Sequence, residues 1–279
     1  VTDIWIYEED QRVDPMKMRT CAVAGMFYPR EPSHLEQLLG KFFSGTKDPV
    51  GGNPLGIVSP HAGYIYSGQV AAHAFGAIPR DFAGTFVVIG PSHRGYITCV
   101  SEIPWETPLG VVDTDAEFVR ALDIETDEFS HQDEHSVEVQ VPFIKYRFPR
   151  ARIAPVMMGQ QDYASAMRLA EKIVAAIRLT KRDVRIVASS DFSHYVPEAK
   201  AKADDLYAIE PLITLDTKEF YRRIEERRVT ACGYGPITAM VTACTTLGAK
   251  AAELIRYATS GDTTGDYREV VGYAAIAVI

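Results

Sequence analysis

Three short apolar runs of strand character each end in a turn that carries an acid/base or metal-capable side chain. Leu55-Gly-Ile-Val58 leads into Ser59-Pro60-His61, Phe86-Val-Val-Ile89 into Gly90-Pro91-Ser92-His93, and Arg185-Ile-Val-Ala188 into Ser189-Ser190-Asp191-Phe192-Ser193-His194. Imidazoles and carboxylates in one place can bind a metal ion or move protons. In open α/β sheets ligands collect outside the carboxyl ends of the strands, so side chains far apart in sequence can meet there. His61, His93, Asp191 and His194 are therefore the first candidates for a shared site. An imidazole needs an acceptor to fix its tautomer, and Ser59, Ser92 and Asp191 are the neighbours expected to supply one.

Cys232 stands apart from the other cysteines because it occupies a Gly-rich turn, Ala231-Cys-Gly-Tyr-Gly-Pro236, just ahead of a helical pattern. Helix N-termini favour the thiolate, the form that binds metal or attacks carbon. Cys21, Cys99 and Cys244 fall in apolar or β-rich stretches and read as core thiols; with no C-x-x-C pair, neither a disulfide framework nor a zinc ribbon is expected. Two imidazoles and one thiolate with an open position suit zinc, copper or iron rather than magnesium or calcium. A second group, Asp133-Glu-His-Ser-Val-Glu138, puts His135 and Glu138 three apart on one helix face. Its competing reading is a capped helix start with a solvated acidic face. The metalloprotease pattern is absent, because Gln132 stands where its base must be, and the glycines of 90–95 lack the Lys-Ser/Thr of a P-loop.

The elements that must position these groups alternate between strands and helices. A helix is expected over 33–43 with Ser33 as its N-cap, then a Gly-rich loop over 42–53, and a helix over 68–75 behind the first strand. Short strands at 96–100 and 110–112 flank a turn at 105–110. Helices are expected over 115–122, from 137 to 143 where Pro142 limits or bends it, and over 164–179, the clearest amphipathic pattern. The strand 153–158 precedes that last helix and the third strand phrase follows it, as a βαβ crossover requires. Helices over 199–212, 216–227 and 237–247 and a strand over 270–279 complete the chain. The fold class is therefore α/β, a single domain with a central, mostly parallel or mixed sheet flanked by helices on both faces. Residues 1–20 are polar and begin with Val, which reads as an extension or a misplaced start.

A chain of 279 residues with 47% apolar residues can bury a substantial core. A net charge of -8 with scattered cations gives no footprint for nucleic acid. No apolar run approaches the roughly 20 residues that span a bilayer, so a cytoplasmic protein with no membrane partner is expected.

The pieces Ala24-Gly-Met-Phe-Tyr-Pro29, Pro60-His-Ala-Gly-Tyr-Ile-Tyr-Ser-Gly68, Gly90-Pro-Ser-His93, Trp105-Glu-Thr-Pro-Leu-Gly110, Glu134-His-Ser-Val-Glu138, Ser189-Ser-Asp-Phe-Ser-His194 and Cys232-Gly-Tyr-Gly-Pro236 together resemble the Memo family, relatives of the class III extradiol dioxygenases. The resemblance implies the fold of those dioxygenases and a metal site of His61, His93 and Cys232, with Asp191, His194 and His135 around it in catalytic roles. Tyr64, Tyr234 and Glu138 would contact the substrate. The dioxygenase relatives hold Fe(II) with two histidines and a carboxylate, and here Cys232 takes the place of that carboxylate. One divalent ion is expected, iron first and copper or zinc as alternatives. The family implies redox or oxygenase-type chemistry on a small molecule, with two other readings open: a peptide- or protein-binding module using the same pocket, and a cysteine hydrolase built on Cys232, His194 and Asp191. Prokaryotic relatives add association with a radical SAM protein as an expected partnership.

Overall fold

The computed structural model describes residues 17–46, 52–95 and 97–279. Its centre is four parallel strands, β1 (Gly56–Ser59), β2 (Thr85–Pro91), β4 (Arg152–Met158) and β5 (Val184–Ser189). Antiparallel strands extend both sides: β3 (Cys99–Val100) on β4, and β8 (Val270–Val278) on β1, with β6 (His194–Val196) and β7 (Ala252–Thr259) both on β8. The order is β3-β4-β2-β5-β1-β8-β6, so the sheet is mixed.

Strand side chains alternate between two faces. Phe86 and Val88 of β2 join one core, while Val87 and Ile89 join the other, and β1 divides Ile57 from Val58 in the same way. Both faces therefore need cover. On one side lie α1 (Pro32–Ser44), α2 (Tyr64–Gly76) and α6 (Val141–Arg147), through Leu35, Phe75 and Phe143. On the other lie α3 (Ala116–Ala121), α7 (Tyr163–Thr180), α8 (Glu198–Ile213), α9 (Thr217–Arg227) and α10 (Tyr234–Thr246), through Phe118, Ile173, Leu212, Phe220 and Met240. Single turns α4 (Glu128–Gln132), α5 (His135–Glu138) and α11 (Gly261–Thr264) occupy the connections. This is the α/β arrangement expected, with helices on both faces. No helix among the described residues is long and apolar enough to cross a membrane.

Several local expectations shift. α1 starts at Pro32 and is flanked by Glu31, which makes no side-chain cap bond, so Ser33 lies inside the helix. Proline suits that first position because its missing N–H is one that the helix leaves unpaired anyway. The helix expected from 137 is two pieces, and Pro142 opens α6 instead of bending one longer helix. Residues 110–112 contribute an isolated bridge, Trp105 with Val112, and not a strand. Residues 1–16 of the amino-terminal lead-in, 47–51 of the Gly-rich loop and Tyr96 of the expected strand 96–100 lie outside the described residues.

Candidate metal centre

Parallel pairing puts Ser59, the last residue of β1, opposite Ser189, the last of β5, so the loops after these strands leave the sheet side by side. His61 follows β1 and is 2% exposed. Its ring Nδ1 is 2.8 Å from Ser189 Oγ. The direction of that bond follows from its surroundings. Ser189 has one hydroxyl proton, which it must give to the Ser136 carbonyl at 2.6 Å, and it also accepts from Gln140 Nε2 at 2.8 Å. Ser189 can therefore only accept from His61, so Nδ1 carries the proton and Nε2 presents its lone pair. Burial first, then the neighbouring His135 and His93, push the His61 pKa well below its ordinary value, which keeps the ring neutral.

His93 is oriented in the same sense by a carboxylate. Glu134 accepts from the His93 backbone N–H at 2.7 Å and from Nδ1 at 2.9 Å, which puts the ring's lone pair on Nε2. Glu134 also accepts from Ser136 N–H, and its Oε1 lies 3.4 Å from His135 Nδ1. Burial would raise the Glu134 pKa, but the hydrogen bond from His93 and the backbone donors outweigh it and hold the carboxyl at about 2. The His135 ring stacks on His93 at 4.5 Å, and burial lowers its pKa to about 4 against the pull of Glu134. The acceptors expected from sequence were Ser59, Ser92 and Asp191. The structure instead uses Ser189 and Glu134, while buried Ser59 Oγ has no partner among the described residues, Ser92 N–H bonds to the Met158 carbonyl, and Asp191 accepts the His61 backbone N–H at 2.9 Å.

Cys232 precedes α10 and reaches the same point. Its Sγ stands 3.2 Å from His61 Nε2 and accepts the Asp191 N–H at 3.2 Å. The expectation that a helix start frees the thiolate is corrected here. Burial and then the Asp191 carboxylate raise the Cys232 pKa above its ordinary value, and a cation at the site would favour the thiolate. Asp191 is itself buried, which lifts its pKa to about 6 against hydrogen bonds from the backbone of His61 and Ala62.

His194 begins β6. Its Nδ1 donates to the Thr230 carbonyl at 2.9 Å, which again leaves Nε2 as an acceptor. A cavity of about 620 Å³ contains His61, His93, His135, Asp191 and His194 in its lining, with Phe27, Tyr66, Tyr195 and Tyr273 as aromatic walls. The three residues expected to contact substrate lie elsewhere. Tyr64 is 1% exposed within the core, its hydroxyl bonded to the Val139 carbonyl. Tyr234, the first residue of α10, packs its ring on Tyr221, with 5.4 Å between ring centroids. Glu138 forms a buried ion pair with Arg19 at 2.6 Å and accepts from Tyr28 and from the backbone of Ala22 and Val23. It is neither solvated nor in the cavity lining, because α5 is a single turn whose His135 faces the cavity while Glu138 faces the 17–28 segment.

Among the described residues, donor atoms of His61, His93 and Cys232 lie within 4.8 Å of one another. Ligands of one four-coordinate ion, bound at about 2.0–2.3 Å, require spacing of this order. Two imidazoles with committed Nδ1 protons and a thiol of soft character fit zinc, copper or iron, and an open side faces the cavity. Overlapping groups, Asp191 with His194 and Cys232, and His93 with Glu134 and His135, meet the same spacing. Glu134, Ser189, Gln140 and Thr230 were missed as orienting groups. Ser189 and Glu134 stand inside the motifs that carry the family resemblance, but their partners come from other loops and only the folded chain pairs them.

The sequence pattern of the family described as Memo-like protein matches residues 19–277. A MEMO1 family protein of Methanococcoides burtonii is 47% identical over 267 residues, covering 94% of this chain and 100% of the relative. The MEMO1 family protein Mbar_A1422 of Methanosarcina barkeri is 44% identical over 267 residues, with the same coverage of 94% and 100%. The MEMO1 family protein MTH_45 of Methanothermobacter thermautotrophicus is 42% identical over 276 residues, covering 93% of this chain and all of that one.

Proposed function

This chain belongs to the Memo-like protein family, and from that membership and its donor geometry we propose that it is a mononuclear metal-binding protein acting on a small molecule. The observation that carries the reading is the pair of fixed tautomers: Ser189 and Glu134 accept from the Nδ1–H of His61 and His93, which leaves the lone pairs on Nε2, and His61 Nε2 stands 3.2 Å from Cys232 Sγ with a donor nitrogen of His93 in the same 4.8 Å group. Iron is the first choice of metal, with copper or zinc as alternatives. A bound ion would supply Lewis acidity or exchange electrons with a ligand at its open position.

The chain's own residues do the rest. His194 Nε2 is held ready to take a proton from a ligand hydroxyl, since Thr230 fixes the other nitrogen. His135 is a second neutral imidazole in the lining, kept so by burial. Phe27, Tyr66, Tyr195 and Tyr273 would flank a planar ligand and exclude water. Neither lysine nor arginine is among the described residues of the lining, although Arg94 acts on His135 from nearby. A phosphate-bearing or acidic peptide would find little there to neutralise it, which places the small-molecule reading ahead of the peptide-docking one. A cysteine hydrolase fits less well, because His194 is oriented by Thr230 and not by Asp191.

Elemental analysis of protein purified without oxygen or chelator tests the proposal. One equivalent of iron, copper or zinc is expected, lost in His61→Ala, His93→Ala and Cys232→Ala and retained in Cys244→Ala. Stoichiometric metal in folded Cys232→Ala would remove the thiolate from the ligand set, and none in the parent protein would sink the reading.

A further inference from the structure

We propose that Gln161 is a positioning residue of this metal centre: its carboxamide is spliced into the turn from Cys232 to Gly235 and sets where the Cys232 sulfur stands. The inference rests on the metal reading above for its consequence, but its geometry is independent of any ion. Gln161 lies between β4 and α7, 71 residues before Cys232. Its Nε2 donates to the Cys232 carbonyl at 2.8 Å, and its Oε1 accepts the Gly235 N–H at 2.9 Å. In an ordinary β-turn the first carbonyl accepts directly from the fourth N–H. Here the side-chain amide stands between those two groups and satisfies both, as an inserted peptide unit would.

The orientation is not free to flip. The Cys232 carbonyl can only accept and the Gly235 N–H can only donate, so nitrogen must face the first and oxygen the second. The amide is also held from behind, since the Tyr221 hydroxyl donates to the Gln161 backbone carbonyl. Two further N–H groups of the turn are tied to the loop after β5: Cys232 N–H to the Asp191 carbonyl at 3.2 Å, and Gly233 N–H to Ser190 Oγ at 2.9 Å. Two loops thus hold the turn, and its glycines permit both approaches. A Cβ at Gly233 would stand 2.4 Å from the Ser189 carbonyl oxygen, and one at Gly235 2.9 Å from Gln161 Cβ. Gln161 is not among the described residues lining the cavity and touches no proposed ligand atom, so its effect passes through Cys232.

The test uses cobalt(II) as the probe metal on the full chain, with Gln161→Glu, Gln161→Leu and, as control, the exposed neighbour Gln160→Ala. Glutamate has the same size but turns an oxygen toward the Cys232 carbonyl; leucine offers no hydrogen bond at all. Both variants should keep the parent far-ultraviolet circular dichroism and bind cobalt about 10- to 100-fold more weakly. Their sulfur-to-cobalt charge-transfer absorption should weaken or shift, a signature that general loosening away from the sulfur does not produce. In the metal-free proteins, mass spectrometry after iodoacetamide should find Cys232 alkylated several-fold faster than in the parent or in Gln160→Ala. Cobalt affinity within twofold of the parent and an unchanged charge-transfer band in Gln161→Glu would overturn the proposal. If the leucine variant unfolds, the isosteric glutamate variant decides. If the parent binds no cobalt, the metal reading fails by itself, and the alkylation rates still decide: faster modification of Cys232 upholds the positioning role, and equal rates end it.

Discussion

At the scale of single residues, the centre works by committing protons. Ser189 and Glu134 each accept a hydrogen bond from an Nδ1–H and so decide which nitrogen keeps its lone pair. Removing either acceptor leaves its imidazole free to turn or to change tautomer without deleting a ligand. Ser189→Ala and Glu134→Gln should therefore each weaken zinc binding by about 10- to 100-fold, measured by competition with a chelator of known affinity. Equal affinity in both variants would mean that the tautomers are set elsewhere. The histidines themselves were legible in the sequence because each follows a recognisable strand. Their acceptors were not, since Glu134 meets His93 from 41 positions away and Ser189 meets His61 from 128. Sequence neighbours such as Ser59 look equally suitable until the loops are placed. Tyr64 shows the same limit from the other side, because an aromatic residue three positions after His61 can point into the cavity or into the core, and α2 turns it inward.

At the scale of elements, β1, β2 and β5 were legible as buried apolar runs, and α7 as an amphipathic helix, because burial on a whole face imposes a pattern on the sequence. β7 was not foreseen. Glu253 and Arg256 interrupt its apolar character, and its pairing with β8 shifts register between Leu254 and Arg256, as suits a strand with one exposed side. How tightly the elements meet is visible only in the fold. A Cβ on Gly56 of β1 would lie 2.5 Å from Met240 Sδ and 2.8 Å from Cys244 Sγ on α10. Gly56→Ala should cost about 1–3 kcal/mol in denaturant unfolding while metal stoichiometry in the folded protein stays intact. The 17–28 segment is an element of another kind. Buried Arg19 donates to the carbonyls of His131, Gln132 and Glu134 and pairs with Glu138, so it ties that segment to the loop that orients His93. Arg19→Leu strands the Glu138 charge, and a loss of about 3–5 kcal/mol is expected by the same unfolding measurement. A loss under 1 kcal/mol would show that the segment is not fastened by this pair.

Across the whole molecule, buried ionisable groups give stability an opposed dependence on pH. His131 is fully buried against Trp105; burial and then the Arg19 charge lower its pKa to about 4. Its unfolded value is about 6.5. Between these values the unfolded chain takes up a proton that the folded one refuses, so this contribution is full above about pH 6.5 and is lost as pH falls toward 4. Asp205 runs the other way. Burial raises it to about 6 against hydrogen bonds from Ser193 and Tyr257, whereas the unfolded value is about 3.9. Its contribution is full below about pH 3.9 and is lost as pH rises through 6. Near pH 5 each group alone produces a slope of about 1 kcal/mol per pH unit, with opposite signs. The two largely cancel there, and single substitutions should expose them. In metal-free protein, urea unfolding between pH 4.5 and 6 should show that His131→Leu loses stability with rising pH relative to the parent, and that Asp205→Asn gains it. The substitutions also alter packing, but that shifts each curve as a whole and leaves its slope, so the slope is the quantity to compare. Identical slopes in all three proteins would mean that neither group changes its proton affinity on folding.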